Sequence, residues 1–216
     1  MPYRRTENVT RRLAARRAAI IAAAVESASE GGMAAVQIAP VARRAGIAAG
    51  TVYRYFPGKA DLVEALLTEI SGREIAALRG AADLAPGPLS ALSAAIMTFA
   101  SRVLRQRRLA FAAIAEPVDA QLDSARIEFR KSLASEFSRL IVVATAGRLL
   151  PEQDAVLSAV ALLGLLVEGL IGPLAPEAMG RERDVVRSLT LTALRALGVP
   201  DARARGLVVQ TAMPAS

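Results

Sequence analysis

The chain has 216 residues and a formal net charge of +7, and 53% of its residues are hydrophobic although only 4% are aromatic. Ala and Leu must therefore carry the burial, which favours closely packed helices over sheets rich in β-branched and aromatic residues. Cysteine and histidine are both absent, which excludes disulfides and thiol nucleophiles and removes the commonest general base and metal ligand. We expect a helical protein that is not an enzyme and that holds no metal and no cofactor.

The excess of positive charge lies at the N-terminal end. Residues 1–60 contain ten Lys and Arg against three acidic residues, whereas residues 61–216 contain seventeen of each. A basic domain joined to a neutral one is typical of a protein that binds a polyanion through one end. The alternative is a basic tail that only keeps the chain soluble.

Residues 1–9 are polar and basic, and we expect a flexible arm there that becomes ordered on DNA. They lack the continuous apolar segment of a secretory signal peptide, so we expect a cytoplasmic protein. A helix is predicted over residues 11–30, with Thr10 as its N-cap and the Gly31-Gly32 pair at its end. Its buried face is predicted to comprise Leu13, Ile20, Ala24 and Ala28.

The segment VQIAPVARRAGIAAGTVYRYFPGK, residues 36–59, predicts two short helices joined by a tight turn. The first covers about residues 38–45, and Gly46 supplies the left-handed backbone that ends it. The second covers about residues 49–55, and Pro57-Gly58 stops it. This pattern is typical of a helix-turn-helix, whose second helix enters a DNA major groove. An ordinary helical hairpin with incidental arginines is the alternative.

The start of the second helix is the part that would meet the base edges. Ala49, Gly50 and Thr51 are small and allow a close approach of the backbone, and three larger side chains follow one turn later. Those side chains are Tyr53, Arg54 and Tyr55.

The segment AGIAAGTVYRYFPGKADLVEALL resembles the DNA-binding signature of the TetR/AcrR transcriptional regulators. The positions that match are Gly46, Gly50-Thr51, Tyr53, Tyr55-Phe56, Lys59 and Asp61-Leu62. The resemblance covers about residues 10–70, and the remainder is similar to the family in architecture and length. Ala48 departs from the signature, because it lacks the side-chain oxygen that usually caps the recognition helix.

The resemblance implies an all-α protein of about nine helices. A helix-turn-helix DNA-binding domain would occupy residues 10–58, with its motif at about 37–56, and a helical regulatory and dimerisation domain would occupy residues 59–200. The resemblance also makes Gln37 and Lys59 phosphate contacts, and a phosphate suits Lys59 because it stands at a helix N-terminus. The full predicted DNA interface is Gln37, Arg44, Ala48, Ala49, Gly50, Thr51, Tyr53, Arg54, Tyr55 and Lys59.

Apolar periodicity predicts six further helices after the motif. They cover about residues 59–79, 89–105, 109–115, 120–149, 152–171 and 181–197, with a strong break at DLAPGP, residues 83–88. The tail 201–216 has weak periodicity, and we expect it to be loose.

The run AVLSAVALLGLLVEGLIGPLA, residues 155–175, approaches the length of a membrane span. Glu168 lies inside it and Gly172-Pro173 near its end, which favours a helix buried in an assembly. In the family the last two long helices form a dimer, so we expect a homodimer. The predicted interface is Leu162, Leu165, Glu168, Leu189 and Leu194, with a ligand contact as the alternative role of Glu168.

The resemblance further implies a small, largely apolar effector that shifts the fourth helix and spreads the two DNA-binding domains. Residues that could line its pocket are Met97, Phe99, Phe111, Phe129, Leu133, Phe137 and Leu166, although residues of these types more often belong to the core. Glu116, Asp119 and Arg126 are polar candidates for orienting the effector or, equally, surface or ion-pair residues.

The sequence thus predicts a sequence-specific, dimeric, TetR-type transcriptional regulator, in the first place a repressor released by a small molecule. An effector-independent architectural DNA-binding protein is one alternative, and it predicts little base preference. A helical small-molecule-binding protein with an incidental basic end is the other, and it predicts that Arg54→Ala or Tyr53→Ala leaves function intact.

Overall fold

The computed structural model describes the backbone of residues 3–117 and 120–213, with side chains for residues 7–117 and 123–213. Within these ranges the chain forms ten α-helices, one 3₁₀ turn (Met33–Ala35) and no strand. The helices are α1 (Tyr3–Gly31), α2 (Ile38–Arg44), α3 (Ala49–Tyr53), α4 (Lys59–Asp83), α5 (Pro88–Arg105), α6 (Arg107–Ile114), α7 (Ala120–Ala146), α8 (Ala155–Ile171), α9 (Glu182–Ala196) and α10 (Asp201–Gln210). The predicted all-α fold class is confirmed.

The helices α1, α2 and α3 form the N-terminal unit, in which α2 packs against both of the others. Its core consists of small and branched side chains and one aromatic ring. These residues are each at most 2% exposed: Ile20, Ala24, Val41, Val52 and Phe56. The helix α4 begins immediately after this unit and packs against α1. The N-terminal unit is therefore joined to the rest of the protein through both α1 and α4.

Residues 3–9 belong to α1, so this helix begins before the start after Thr10 that was predicted, and it includes most of the segment predicted to be an arm. This segment contains no Gly or Pro to stop a helix, and Glu7 forms an i,i+4 ion pair with Arg11 at 3.5 Å. Leu13 was predicted to be buried and is 49% exposed. Residues 7–19 are all exposed, because this half of α1 extends beyond the helices that could cover it.

The helices α4, α5, α7, α8 and α9 form the second unit, which lies in the region predicted to be regulatory and is called the regulatory unit below. The helix α4 packs against α5 and α7, α7 packs against α8, and α5 packs against α9. Phe99 of α5 and Phe137 of α7 meet edge to face at its centre, with ring centroids 6.2 Å apart. This geometry places the positive edge of one ring on the negative face of the other.

The helix α10 replaces the predicted loose tail. Ala204, Leu207 and Val208 are buried, and their i, i+3, i+4 spacing forms one short apolar stripe. Asp201 in the first turn accepts a hydrogen bond from Arg195 of α9 at 2.7 Å and from Arg205 at 2.9 Å. Three apolar residues are too few to show a period in the sequence, which is why the helix was not predicted.

The long apolar run forms α8, which begins later than predicted. Its N-cap is Asp154, whose carboxylate accepts hydrogen bonds from the N–H groups of Val156 and Leu157 at 2.9 and 3.0 Å. Among the described helices, α8 included, none has both the length and the apolar character that a membrane span requires.

Candidate DNA interface and regulatory cavity

The turn between α2 and α3 has the hydrogen bonds of a Schellman motif. Gly46 N–H donates to the carbonyl of Arg43 at 3.1 Å, and Ile47 N–H donates to the carbonyl of Ala42 at 3.0 Å. Gly46 has φ of +66°, and a Cβ atom there would meet nothing within 4 Å. The backbone angle, and not a lack of space, therefore requires glycine at the turn that sets the angle between the two helices.

The recognition helix α3 ends at Tyr53, two residues earlier than predicted. Arg54 and Tyr55 continue it as a tighter turn, since their N–H groups donate to the carbonyls of Thr51 and Val52 at 3.2 and 2.9 Å. The side chain of Val52 is fully buried, whereas Tyr53 is 53% exposed and Arg54 is exposed. The helix thus turns one side to the core and presents larger side chains on the other.

The N-terminus of α3 lacks a side-chain cap. Ala48 occupies the N-cap with φ of −70° and ψ of 146°, and no side-chain hydrogen bond is made there. Ala48 and Gly50 are exposed, while Ala49 and Thr51 are half-buried. The end of the helix that was predicted to meet base edges is therefore small, accessible and free of side chains that would hold the backbone away from a groove.

Gln37 and Arg44 are engaged within the protein. Gln37 is the N-cap of α2, but its side chain donates to the carbonyl of Ala34 at 3.1 Å and makes no cap bond. The Arg44 guanidinium binds Glu30 of α1 through two hydrogen bonds and lies 3.4 Å from Glu26. The hydrogen bond from Arg44 lowers the pKa of Glu30 below its ordinary value. Arg44 is thereby used to hold α2 on α1.

The N-terminus of α4 carries both a cation and an anion. Lys59 is the first residue of the helix and is half-buried. Asp61, two residues later, accepts a hydrogen bond from the N–H of Gly58 at 2.8 Å. A carboxylate therefore already satisfies part of this helix N-terminus, so a phosphate would depend on the Lys59 ammonium more than on free N–H groups.

Arg17 of α1 lies over the ring of Phe56, with its guanidinium carbon 5.2 Å from the ring centroid. This cation–π contact ties the segment after the recognition helix to α1. Other arginines of the unit are directed to solvent: Arg11, Arg12, Arg16, Arg43 and Arg54 are exposed. The positive charge of the N-terminal end is thus available on the surface of a folded unit.

A cavity of about 800 Å³ lies in the regulatory unit. It is enclosed by α4, α5, α6 and α7, and the segment after α10 closes one side. Its apolar wall includes Ile70, Phe99, Val103, Leu109, Ile114 and Phe129. A volume of this size suits a drug-sized organic molecule.

An ion pair forms the main polar feature of the cavity wall. Arg102 of α5 donates to Glu74 of α4 through Nε at 2.8 Å and through a terminal nitrogen at 2.6 Å. The pair is largely shielded, since the two side chains are 33% and 18% exposed. The hydrogen bond to Glu74 raises the pKa of Arg102. Neither residue was predicted, because they are 28 positions apart and each alone reads as a surface charge.

Residues 20–66 match the model of the family described as bacterial regulatory proteins, tetR family. The helix-turn-helix segment of this protein is therefore similar to the DNA-binding segment of the tetR family. The match covers α2, α3 and the start of α4, together with the half of α1 that is packed against them.

Similarity to curated proteins covers about a third of this chain or less. The chain is 44% identical over 70 residues to the HTH-type transcriptional repressor KstR of Mycolicibacterium smegmatis. It is 50% identical over 52 residues to KstR of Rhodococcus jostii. The aligned part is 32% of the first relative and 24% of the second. The chain therefore matches about a third or less of the length of these relatives.

Solved structures share the fold over nearly the whole chain. RolR in complex with resorcinol superposes with a TM-score of 0.71 at 20% identity, over 95% of this chain and 98% of that one. FadR from Bacillus subtilis in complex with stearoyl-CoA gives a TM-score of 0.68 at 22% identity, over 83% of this chain and 97% of that one. At this level of identity the likeness shows a shared fold that extends over both units.

The cavity includes only two of the predicted pocket residues, Phe99 and Phe129. Met97, Leu133, Phe137 and Leu166 are fully buried in the core and do not line it, and Phe111 is 39% exposed outside it. All of the predicted pocket residues were chosen from α5 to α8. The walls from α4 and from residues 210–213 were missed, because no local pattern reveals which distant segments meet.

The polar residues predicted to orient the effector are not among those that the structure places in the cavity wall. Glu116 accepts a hydrogen bond from the backbone N–H of Met33 at 3.0 Å, and Arg126 donates to the Glu116 carbonyl at 2.6 Å. Neither lines the cavity. Asp119 lies outside the described residues.

The predicted dimer residues fall into two groups. Leu162 and Leu194 are 3% and 0% exposed within one protomer, so they were assigned to the wrong helix face. Leu165 and Leu189 are half-buried, and Glu168 is exposed. The exposed apolar residues of α8 are Val156, Leu157 and Val160, and Val142 and Val143 of α7 are also exposed. In a helix apolar on every side, the sequence alone does not show which side faces the core.

Proposed function

We propose that this protein is a sequence-specific transcriptional repressor of the TetR type, a regulator and not an enzyme. It acts in the cytoplasm as a dimer on a pseudo-palindromic operator, and a small, largely apolar effector releases it. One observation supports this function above the others: α3 is held by a buried core while Tyr53 and Arg54 project from its outer side. These are the side chains of a recognition helix in a major groove.

Dimerisation follows from the small size of the reading surface. The helix α3 has five residues, and so few base contacts give little discrimination against genomic DNA. Two copies related by a two-fold axis would read half-sites about one helical turn apart, roughly 34–36 Å. The exposed side chains Val156, Leu157 and Val160 of α8 offer an apolar surface for the second copy.

The effector would occupy the cavity of about 800 Å³. Apolar residues would supply most of the contact, and the Glu74–Arg102 pair would orient a polar group of the ligand. The neighbouring folds hold chemically different molecules, resorcinol in RolR and stearoyl-CoA in FadR. The helix α4 contributes Glu74 to the cavity and begins at Lys59 beside α3, so an occupant can change the position of the DNA-binding unit.

Selection of random duplex DNA by the purified full-length protein at physiological salt tests this function. Recovery of a pseudo-palindromic consensus is the expected result. Recovery without a consensus, with binding that weakens uniformly as salt increases, would instead indicate an architectural DNA-binding protein. If no duplex is retained, the protein is a helical ligand-binding protein and the proposed function is wrong.

A further inference from the structure

A hydrogen bond joins the segment after α6 to the DNA-binding unit. Glu116 Oε2 accepts from the backbone N–H of Met33 at 3.0 Å, and Met33 begins the 3₁₀ turn that leads into α2. The carboxylate also lies against Gly32, where a Cβ atom would stand 2.7 Å from Oε2 and 3.0 Å from Oε1. Gly32 has φ of +71°, so both the backbone and the carboxylate require glycine at this position.

Glu116 is itself anchored to the regulatory unit. Its N–H donates to the carbonyl of Phe111 at 2.8 Å, and its carbonyl accepts from Arg126 of α7 at 2.6 Å. The Arg126 side chain is 19% exposed and also pairs with Asp123. The backbone of Glu116 is therefore held by α6 and α7, and its carboxylate contacts the end of α1 and the 3₁₀ turn.

The helix α6 also forms part of the cavity wall. Leu109, Ala110, Ala113 and Ile114 line the cavity, and Ile114 lies two residues before Glu116. The helix has only eight residues. A side chain or ligand that displaces its cavity-lining residues therefore also displaces its C-terminal end. A hydrogen bond of 3.0 Å is largely lost when it is stretched by about 1 Å. A small displacement of α6 is enough to separate Glu116 from Met33.

We propose that Glu116 is a latch between the cavity and the DNA-binding unit. With its carboxylate on Met33, the unit is held in the orientation that binds DNA, and an occupant of the cavity releases the unit by displacing α6. This inference rests on the proposed function, because it describes how the cavity governs DNA affinity. The latch acts through α6 and the α1–α2 junction, and it is separate from any movement of α4.

For Glu116→Ala, the latch and simple electrostatics predict changes in DNA affinity of opposite sign. Glu116→Ala removes a negative charge, so electrostatics alone would strengthen binding to DNA. Loss of the latch weakens binding instead. Glu116→Gln makes the same change in charge but keeps an oxygen that accepts the Met33 N–H. Glu128→Ala is the matched control, since Glu128 is exposed on α7 and pairs with Lys131 at 2.7 Å.

The test measures the affinity of full-length variants for the duplex recovered by selection. Ala110→Phe places a large side chain in the cavity from α6. It takes the place of a bound ligand, so the test does not require the natural effector. Glu116→Ala and Ala110→Phe should each weaken binding about tenfold, as expected when a hydrogen bond to a charged group is lost. The double variant should be no weaker than either single variant. Glu116→Gln and Glu128→Ala should remain close to the original protein.

Three results would overturn the latch. They are unchanged or tighter binding by Glu116→Ala, equal weakening by Glu116→Gln, or a double variant weakened by the product of the two single effects. Amide hydrogen exchange gives a readout that does not need DNA: Glu116→Ala should speed exchange in residues 33–56 several-fold and leave α8 unchanged. If the original protein binds no DNA, the proposed function fails, and the exchange pattern still decides for or against the latch.

Discussion

Arg44 of α2 is bound to Glu30 of α1 by two parallel N–H···O hydrogen bonds, one of which spans 2.7 Å. Glu26, one turn earlier in α1, lies 3.4 Å from the same guanidinium. The neighbouring Arg43 is exposed and makes no ion pair within the described part of the chain. Two adjacent arginines of the DNA-binding unit therefore have different roles, one inside the unit and one available to phosphate.

Separate substitution of these arginines by Ala distinguishes the roles. Arg44→Ala should lower the thermal midpoint, because Glu26 and Glu30 lose their cation, and should leave the salt dependence of DNA binding unchanged. Arg43→Ala should leave the thermal midpoint unchanged and reduce the slope of log Kd against log salt by about one. Thermal melting and a salt titration measure both quantities. An unchanged slope for Arg43→Ala would remove Arg43 from the interface.

Lys59 and the residues of α3 should divide the work of DNA recognition. Lys59→Ala is expected to weaken binding to all sequences similarly, because a phosphate contact carries no base information. Thr51→Ala and Arg54→Ala should change the preferred bases, with a cost of about 1–3 kcal/mol at the affected position. Repeating the selection with each variant measures this. The same loss on every sequence for all three variants would contradict the division.

The uncapped recognition helix offers a stabilising substitution. Ala48 has the extended backbone of an N-cap but no acceptor, so Ala48→Ser places an oxygen within reach of the free N–H of Gly50. We expect the free energy of unfolding to rise by about 0.5–1 kcal/mol. Urea denaturation measures it, with Ala49→Ser, one residue inside the helix, as the control. An unchanged or lower stability for Ala48→Ser would show that the cap is not the missing element.

Glu136 of α7 should make the regulatory unit sensitive to acid. Its side chain is 2% exposed and pairs with Arg79 of α4 at 2.8 Å and Arg139 at 2.6 Å. Burial raises the pKa of Glu136, but the hydrogen bonds from Arg139 and Arg79 outweigh burial and lower it below the ordinary value of 4.5. A carboxyl whose pKa is lower in the folded state stabilises the fold above pH 4.5, and this stabilisation is lost as the pH falls through the folded pKa.

Glu136→Gln should therefore lower stability at pH 7 by about 1 kcal/mol and should flatten the loss of stability below pH 4.5. Urea denaturation at a series of pH values measures the effect. Glu69→Gln is the control, since Glu69 pairs with Arg73 on the surface of α4. A parallel pH profile for the variant and the original protein would exclude Glu136 as the acid-sensitive group.

The exposed apolar side of α8 should hold the second copy. Val160 is 54% exposed and Leu157 is 67% exposed on this side. Val160→Glu should convert the dimer to a monomer with an unchanged helical content, because it buries a charge in an apolar contact. Val209→Glu on α10 is the matched control, since Val209 is 77% exposed. Sedimentation measures the mass of each, and a dimeric Val160→Glu would place the interface elsewhere.

Local signals explain why the DNA-binding unit could be predicted. Gly46 follows the end of α2, and Pro57-Gly58 follows the turn after α3. Both signals lie within a few residues of the helix ends that they determine. The features that were missed depend on the tertiary arrangement. Leu13 has the helical phase of Ile20, yet no helix covers it. Glu74 meets Arg102 only because α4 packs against α5.

Two copies of the protein should read one pseudo-palindrome through α3. The most direct measurement is the stoichiometry and affinity of the full-length protein on the selected duplex, on a single half-site and on a scrambled duplex at the same salt concentration. We expect two protomers on the full site, with binding about a thousandfold tighter than to the scrambled duplex and much weaker binding to the half-site. Equal affinity for all three duplexes would contradict it.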